Sequence, residues 1–528
     1  MSTGIGHGRP LAGAVLRGLG GGGDAPGAVI EALARHVPPE RVELVLAQTG
    51  RVERRRRRIP AAAVVWLVVM IGLRADLDLR GLWSQVCGTL ATLLAAAAGV
   101  LRPVARSALS KARARLGARP LRQLMLMTGQ SSLMMMTTTP TTPTTPTTTT
   151  TNPTTQRGGG GGAYYKGMRL LAIDGDDYKL PDTPANARAF GRPSTARDGT
   201  PLAAGYPQLH LTRLIDAGTR VTIEAIIKRY ASGDHGPAPR LLAAARAGDL
   251  VLWDCGLYSF NLMRLACEQK KFFCGPVPAN VMLTPLRRLA DGSYLVRLYP
   301  PSDHRRHDER SAADGGNGIV LRVIEYTLDE PLRVGHGERH RLITNLLDAD
   351  ADAAVAHPAR ELVALYHERW EIEIANDEVT THQLGRPVEL RSKTPGGAVQ
   401  EVYGVLLAHN AVRLIMAEAA AAAAAAASAD DGDADEVVDP RTLSFINAVR
   451  VVREGVRQMR DAPAARLPLI YRGMLALIAA ARLPPRDGRI NPRVIKVVRP
   501  KNFPAKRTEH RGCPQPTKSF LDSIVMLK

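Results

Sequence analysis

Two short apolar runs in this chain each end in an aspartate. The run Leu170–Ile173 is followed by Asp174, and the run Leu250–Trp253 is followed by Asp254. Short apolar runs of this length are typical of buried strands, and the carboxyl ends of such strands line clefts in α/β proteins. We therefore predict an α/β fold in which both aspartates face one cleft.

A third carboxylate stands in a segment with helical periodicity, residues 358–383. Tyr366, Arg369 and Glu373 are three and four residues apart there, so they share one helix face. Two strand aspartates and one helical glutamate can hold a pair of Mg²⁺ or Mn²⁺ ions through hard oxygen ligands. Such a metal pair cleaves and joins phosphodiesters by activating a nucleophile and stabilising the leaving oxygen.

The candidate catalytic residues are also the candidate metal ligands, and they are Asp174, Asp254 and Glu373. A lone aspartate at a strand end is more often a turn or helix cap, and a lone helical glutamate is usually a solvated charge. It is the occurrence of all three in this order, in phase with a tyrosine and an arginine, that favours a site. Glu371 is a weaker alternative ligand, while Asp176 and Asp177 support the first ligand or belong to a turn.

The segment resembles the signature of the DDE transposases of the bacterial insertion-sequence-4 family, which is Tyr, two residues, Arg, three residues, Glu, six residues and Lys. Tyr366, Arg369 and Glu373 fall at these positions, but Thr380 stands where the family has lysine. Further blocks in the family order extend the likeness from about residue 37 to about residue 511: Ile173–Gly175, Leu180–Asn186, Phe190–Gly191, Tyr206–Pro207, Leu390–Pro395, Leu407–Asn410 and Asn502–Pro504.

The resemblance implies a ribonuclease-H-like catalytic core interrupted by a β-rich insertion, with helical N-terminal and C-terminal regions. The expected core elements occur in that order: a strand at 168–173, a hairpin of 208–215 and 220–227, a helix at 239–247 and a strand at 250–253. In such a core the first and fourth strands are neighbours. Asp174 and Asp254 would then meet although they are far apart in sequence.

Composition shifts divide the chain, because a Thr/Pro tract and five consecutive glycines cannot bury enough surface to fold. The predicted divisions are a disordered N-terminus at 1–27, a helical DNA-binding domain at 28–133, a low-complexity linker at 134–162, the first part of the core at 163–275, the β-rich insertion at 276–347, the catalytic helix and the end of the core at 348–418, an Ala-rich and acidic linker at 419–440, and a helical, basic C-terminal region at 441–528.

The charge of the chain favours a polyanionic partner. Lys and Arg number 70 against 50 Asp and Glu, which gives a net charge of +20, and phosphate contacts by such residues release counterions. The resemblance implies double-stranded DNA as the partner, both transposon ends and target, bound by a homodimer that pairs the ends. The candidate DNA-binding residues are Tyr366 and Arg369, from the resemblance, and the basic run Arg54, Arg55, Arg56, Arg57 and Arg58, whose alternative is a solvated helix end.

Other classes of protein fit the sequence less well. The five cysteines include no Cys-x-x-Cys pair, so zinc-site spacing is absent. Because the cysteine count is odd and the N-terminus lacks an apolar signal core, we expect reduced thiols in a cytosolic setting. The resemblance implies that this setting is the bacterial cytoplasm, at the nucleoid. The nearly all-apolar, uncharged stretch 59–73 is too short for a membrane span and predicts a buried helix.

Two other functions remain open at this stage. Thr380 and the low-complexity tract allow a catalytically impaired DNA-binding protein derived from a transposase. A general metal-dependent nuclease is the weaker alternative. The pairs His336 and His340, and His304 and His307, are interpreted as strand and loop surface instead of metal ligands.

Overall fold

The structure is a computed structural model of the chain. It describes residues 36–53, 55, 57–87, 104–135, 156–157, 163–193, 205–300, 318–333, 335–349, 356–385, 389–430, 438–460, 462–484 and 517–527. The predicted disordered N-terminus, most of the low-complexity tract, His304 and His307, and the basic stretch 489–511 lie outside these residues.

One twelve-stranded sheet organises the described part of the chain. Its main path runs β1-β2-β3-β6-β7-β11-β10-β9-β8, with β4 and β5 added next to β3, and β12 added to β10. The strands are β1 Gln156–Arg157, β2 Ala163–Tyr165, β3 Met168–Lys179, β4 Gln208–Asp216, β5 Thr222–Arg229, β6 Leu250–Trp253, β7 Phe272–Pro276, β8 Pro285–Arg288, β9 Tyr294–Leu298, β10 Ile319–Leu328, β11 His340–Thr344 and β12 Ile524–Met526.

The part of the sheet formed by β3 to β7 has the ribonuclease-H-like arrangement. Strands β3, β4 and β5 are consecutive antiparallel neighbours, whereas β6 pairs with β3 in parallel and β7 pairs with β6 in parallel. The α/β fold with this core is therefore confirmed. Because β3 and β6 are neighbours, the predicted meeting of their two aspartates is built into the topology.

The β-rich insertion is confirmed as well, and it continues the core sheet. Strand β11 pairs with β7, β10 pairs with β11, and β9 pairs with β10, all antiparallel. The C-terminal region was predicted to be helical, and this is wrong for its last residues. Strand β12 pairs with β10 through Leu328 and Ile524, Thr327 and Val525, and Tyr326 and Met526.

Helices precede, separate and follow these strands along the chain. They are α1 Pro39–Gln48, α2 Ala61–Leu73, α3 Arg106–Leu116, α4 Arg119–Met135, α5 Pro184–Phe190, α6 Ala238–Ala244, α7 Phe260–Glu268, α8 Ala359–Tyr366, α9 Trp370–Asp377, α10 Pro395–Asp430, α11 Phe445–Arg460, α12 Leu467–Ala480 and α13 Phe520–Ser523. Residues 79–87 are helical as well.

The apolar stretch at 59–73 forms the buried helix α2, as predicted, and α2 crosses α10 at very short range. A Cβ atom added at Gly404 would lie 2.3 Å from the carbonyl oxygen of Val68, and one added at Gly72 would lie 2.6 Å from Cα of Val405. Only glycine allows two helix backbones to approach this closely. The N-terminal helices are thereby packed directly onto the C-terminal half of the chain.

Helix α10 is long and apolar enough to cross a membrane by length and composition, but 78% of its apolar window is buried within the fold. It also extends through Asp430, which corrects the linker predicted from residue 419 onward. The physical reason is that alanine, which fills 419–427, has the highest helix propensity of all residues.

Two core elements have other boundaries than predicted. Strand β3 continues past Asp174 to Lys179, because β4 pairs with it along that whole length, up to Gln208 opposite Lys179. Helix α6 ends at Ala244, three residues earlier than the predicted Ala247.

Candidate active site

Asp174 and Asp254 follow a register pair of neighbouring parallel strands. Ile173 of β3 lies opposite Trp253 of β6, so the two aspartates occupy the next position on each chain. Asp254 precedes a 3₁₀ turn, Cys255–Leu257, but its side chain makes no capping hydrogen bond. A Cβ at residue 256 would lie 3.2 Å from a carboxylate oxygen of Asp254. Glycine at this position therefore leaves room for that carboxylate.

The third carboxylate comes from a run of abutting helical segments, residues 359–384, which we call the signature helix. It comprises α8, a 3₁₀ turn at His367–Arg369, α9 and a π-helical stretch at Glu378–Leu384. The segment is helical over its predicted length, but it is not one regular α-helix. Its Tyr366, Arg369 and Glu373 face β3 and β6.

Arg369 joins the helix to the first aspartate. Its Nη2 donates to Oε1 of Glu373 at 2.6 Å, and its Nη1 lies 3.8 Å from Oδ2 of Asp174. Within the described part of the chain, its buried Nε has no hydrogen-bond partner. A buried donor without a partner is rare in folded proteins, and here it belongs to a guanidinium that pairs with two carboxylates, Asp174 and Glu373.

The electrostatics of Asp174 show that the three carboxylates affect one another. The pKa of Asp174 is raised to about 6, mainly by burial and to a smaller extent by the charges of Asp254 and Glu373. The backbone N–H of Gly175 and the guanidinium of Arg369 act in the opposite direction and lower this pKa. A cation among these groups would relieve the repulsion.

The donor set fits divalent metal ions chemically, since carboxylate oxygens are the ligands that Mg²⁺ and Mn²⁺ prefer. Among the residues that the structure describes, however, no three His, Cys, Asp or Glu side chains are grouped closely enough to hold a metal ion. The guanidinium of Arg369 lies between Asp174 and Glu373 and pairs with both. In the described geometry an arginine therefore stands between two of the three candidate ligands.

Tyr366 contacts the other strand of the site. Its hydroxyl donates to the backbone carbonyl of Trp253 at 3.3 Å, directly before Asp254. Burial raises the pKa of Tyr366, so the hydroxyl keeps its proton at neutral pH. Its predicted contact with DNA stays a prediction, while its hydrogen bond ties the signature helix to β6.

Sequence reasoning missed how the signature helix is fixed on its other face. Arginines from separate elements pair there with its polar side chains: Arg220 with Glu371 at 2.7 Å and with Glu378 at 2.6 Å, Arg413 with Glu378 at 3.5 Å, Arg441 with Glu368, and Arg213 with Asn376. We call these residues the arginine network. The signal in the sequence was the repeat of glutamates at 368, 371 and 378, which lies on a different face from Glu373.

The arginine network includes the alternative ligand named in the sequence analysis. Glu371, considered as a ligand in place of Glu373, is paired with Arg220 and lies 3.9 Å from Arg441. The far end of the helix is fixed too, because Gln383 donates to the carbonyls of Gly72 and Val405, at the crossing of α2 and α10.

The other acidic and histidine candidates have local partners. Asp176 and Asp177 lie within β3 and not in a turn. Asp177 is bonded to His210 at 2.9 Å, and His210 also contacts Asp234 at 2.9 Å, so the two carboxylates raise the pKa of His210 to about 10. His336 and His340 each contact a backbone carbonyl, of Leu328 and Gly335 respectively.

The described arginines of the basic run lie in the loop between α1 and α2. Arg55, Arg57 and Arg58 are exposed there, whereas Arg54 and Arg56 are outside the described residues. Arg57 lies 3.8 Å from Glu53. Thr380, at the position of the missing lysine, donates its hydroxyl to the carbonyl of Asn376 at 2.9 Å in the π-helical stretch.

Comparisons with known proteins agree with the resemblance found in the sequence. A family model described as the insertion element 4 transposase N-terminal matches residues 28–125, and one described as the transposase DDE domain matches residues 165–411. Transposase InsG for insertion sequence element IS4, from Escherichia coli (strain K12), is 28% identical over 479 residues, which cover 90% of this chain and 93% of that protein.

Two further similarities are weaker. Putative transposase InsZ, from the same organism, is 26% identical over 237 residues, covering 45% of this chain and 67% of that protein. The solved structure of a piggyBac transposase synaptic complex with hairpin DNA shares 12% identity at a TM-score of 0.39, covering 88% of each chain. A likeness at that TM-score supports no argument here.

The ribonuclease-H-like core and the matching domain define the class as a DDE transposase. Within that class, the chain belongs to the insertion-sequence-4 family, as the sequence predicted. It is a DNA-processing transposase, and domains of this class use divalent metal ions. No finding favours the alternative of a non-catalytic derivative.

Proposed function

We propose that this transposase cleaves the ends of its own element and joins the freed 3′ ends to target DNA, with Asp174, Asp254 and Glu373 as its catalytic residues. The observation that carries the proposal is the position of Arg369, which pairs both with Asp174 of β3 and with Glu373 of the signature helix. Asp254 directly follows the neighbouring strand β6, whose last residue pairs with Ile173, the residue before Asp174.

The same three carboxylates are proposed to hold two Mg²⁺ or Mn²⁺ ions. When bound, such ions lower the pKa of a water or a 3′-hydroxyl and stabilise the leaving oxygen. The fit rests on the hard oxygen donors of the three side chains and on their mutual repulsion, which contributes to the raised pKa of Asp174.

Arg369 has two tasks in this proposal. In the described geometry it neutralises Asp174 and Glu373, and its buried Nε has no partner within the described residues. A DNA phosphate is the ligand that best matches a guanidinium, through two parallel hydrogen bonds. A phosphate bound by Arg369 would therefore compete for Arg369 with Glu373 and leave that carboxylate free as a ligand.

The remaining contacts to DNA follow from charge and position. Exposed Arg55, Arg57 and Arg58 contact backbone phosphates in this proposal, together with their neighbours Arg54 and Arg56. Tyr366 supports the bound strand from beside β6. The partner is double-stranded DNA, both transposon ends and target, and two copies of the chain pair the ends in the bacterial cytoplasm, at the nucleoid.

The test is Mg²⁺-dependent cleavage of DNA fragments that carry the terminal sequences of the element. Asp174→Asn, Asp254→Asn and Glu373→Gln should abolish cleavage while binding, measured by gel shift, persists. Glu268→Gln is the matched control, because the Glu268 side chain is 58% exposed and pairs with Arg264 on the surface of α7. Binding without cleavage by the unaltered chain would overturn the proposal, and equal cleavage of unrelated duplex would indicate a general nuclease.

A further inference from the structure

The last described residues of the chain, 517–527, contact both the β-rich insertion and the signature helix. We call them the C-terminal tail. Within it, α13 is followed by β12, which adds a strand to β10. The backbone N–H of Asp329 donates to the backbone carbonyl of Ser523 at 2.7 Å, and the N–H of Leu527 donates to the backbone carbonyl of Glu325 at 2.9 Å.

A second anchor fixes the start of the tail. One carboxylate oxygen of Glu330 accepts hydrogen bonds from the N–H groups of Thr517 and Lys518, at 3.0 and 2.9 Å, and from the Thr517 hydroxyl at 3.0 Å. Arg333 donates to the carbonyl of Lys518 at 2.8 Å. The start of the tail is therefore attached to the turn that follows β10, and its end is attached to β10 itself.

Between these anchors the tail contacts the signature helix. The ring of Phe520 stacks on His367, with centroids 4.3 Å apart and planes inclined by 17°. Arg360, in the first turn of the signature helix, donates to the carbonyls of Leu521 at 2.6 Å and Ile524 at 2.8 Å. His367 is the first residue of the 3₁₀ turn that follows Tyr366 and ends at Arg369.

The geometry of this turn explains why outside support matters. A 3₁₀ turn has poorer hydrogen bonds than an α-helix and is uncommon beyond a few residues. It advances by about 120° per residue against about 100° in an α-helix, so three residues add roughly 60° of rotation. Relaxation of His367–Arg369 to α geometry would therefore rotate Tyr366 relative to Arg369 and Glu373.

We propose that the C-terminal tail is a positioning element of the transposase site, in which Phe520 holds the 3₁₀ turn and thereby sets the orientation of Tyr366 and Arg369 relative to Glu373. This inference rests on the proposed function of those residues. Phe520 is a positioning residue and not a catalytic one, because it contacts His367 and no carboxylate of the site.

The experiment compares three full-length variants. Phe520→Ala removes the stacked ring, Phe520→Tyr keeps it, and Val525→Ala is the control within the tail, because Val525 is 43% exposed on β12. Single-turnover cleavage by Phe520→Ala should be roughly tenfold slower or more, since small misplacements of catalytic groups cost that much. DNA affinity and melting temperature should stay unchanged, and the other two variants should cleave at the parental rate.

A second measurement keeps the inference separate from the proposed chemistry. Hydrogen exchange of the backbone amides at 367–373 should accelerate in Phe520→Ala and not in Val525→Ala, with or without cleavage activity. Unchanged exchange in Phe520→Ala would overturn the inference, as would a parental cleavage rate. A chain that exchanges as expected but does not cleave DNA would leave the positioning role in place and refute the proposed reaction instead.

Discussion

Replacing Arg220 by methionine removes one guanidinium from the arginine network and leaves two glutamates behind. Arg220 pairs with Glu371 at 2.7 Å and with Glu378 at 2.6 Å, and its side chain is 3% exposed. Its backbone has a φ of 61°, in the left-handed region that non-glycine residues rarely adopt. An arginine in that strained position indicates that its side-chain contacts outweigh the backbone cost.

The expected size of the effect follows from what each glutamate retains. Glu378 keeps Arg413 at 3.5 Å and His409 at 3.1 Å, whereas Glu371, within the described residues, keeps the more distant ion pair with Arg441 at 3.9 Å. Removing one partner of a buried ion pair costs about 3–5 kcal/mol, because a charge is left uncompensated. Methionine has the same Cβ, so the backbone cost cancels, and we expect a loss within that range.

The measurement is urea unfolding at pH 7, comparing midpoints at unchanged slope. Arg264→Met is the matched control, because Arg264 pairs with Glu268 at 3.5 Å with side chains 47% and 58% exposed. Such a surface pair contributes less than about 1 kcal/mol. The double variant Arg220→Met with Glu371→Gln should recover part of the loss, since it removes the charge that was left unpaired.

Equal urea midpoints for Arg220→Met and Arg264→Met would contradict the predicted loss of stability. A double variant that is less stable than Arg220→Met alone would contradict the predicted recovery. In the first case the ion pairs on the buried face of the signature helix make no net contribution to the free energy of unfolding, and the helix is held by apolar packing. In the second case Glu371 is stabilised without Arg220.

Three further predictions concern other parts of the molecule. Gly404→Ala should lower the free energy of unfolding by about 1–3 kcal/mol, because its Cβ meets the α2 backbone, whereas Gly473→Ala in α12, with open space around it, should raise it by about 0.5–1 kcal/mol. Burial lowers the pKa of His409 from 6.5 to about 4. Between these pH values the unfolded chain binds a proton that the folded chain does not, so the free energy of unfolding should fall as the pH drops from 6.5 to 4. In urea titrations, the free energy of unfolding of His409→Gln should fall less steeply over the same pH range. Thr380→Lys should steepen the salt dependence of DNA binding by about one unit of slope, measured by titration, if that side chain reaches a phosphate; an unchanged slope would show that it does not.

Much of the core could be predicted from local pattern alone. Strand β6 has the predicted bounds, because four apolar residues are preceded by Gly-Asp and followed by a polar turn. The hairpin of β4 and β5 was indicated by Asp216-Ala-Gly218 between two apolar stretches. Both signals lie within about ten residues of the element that they specify, so a single sequence contains them.

The remainder depends on partners that are distant in sequence. Arg213, Arg220, Arg413 and Arg441 read as surface charges, since arginine is mostly exposed in proteins. They are buried because each pairs with a residue of the signature helix, 73 residues away for Arg441 and 151 for Arg220 with Glu371. Strand β12 is three residues long and has no local signal, and only β10 makes it a strand.

The two sides of the signature helix therefore differ in how they could be recognised and in what they do. The side with Tyr366, Arg369 and Glu373 has a spacing that a sequence displays, and its charges lie partly open to the cleft. The opposite side is fixed by the arginine network, whose ion pairs are buried and costly to break singly. A carboxylate on a helix can meet two carboxylates on strands only if the rotation of that helix is fixed. In this chain the residues that fix it come from β4, the β4–β5 turn, α10 and the segment before α11, all outside the signature itself.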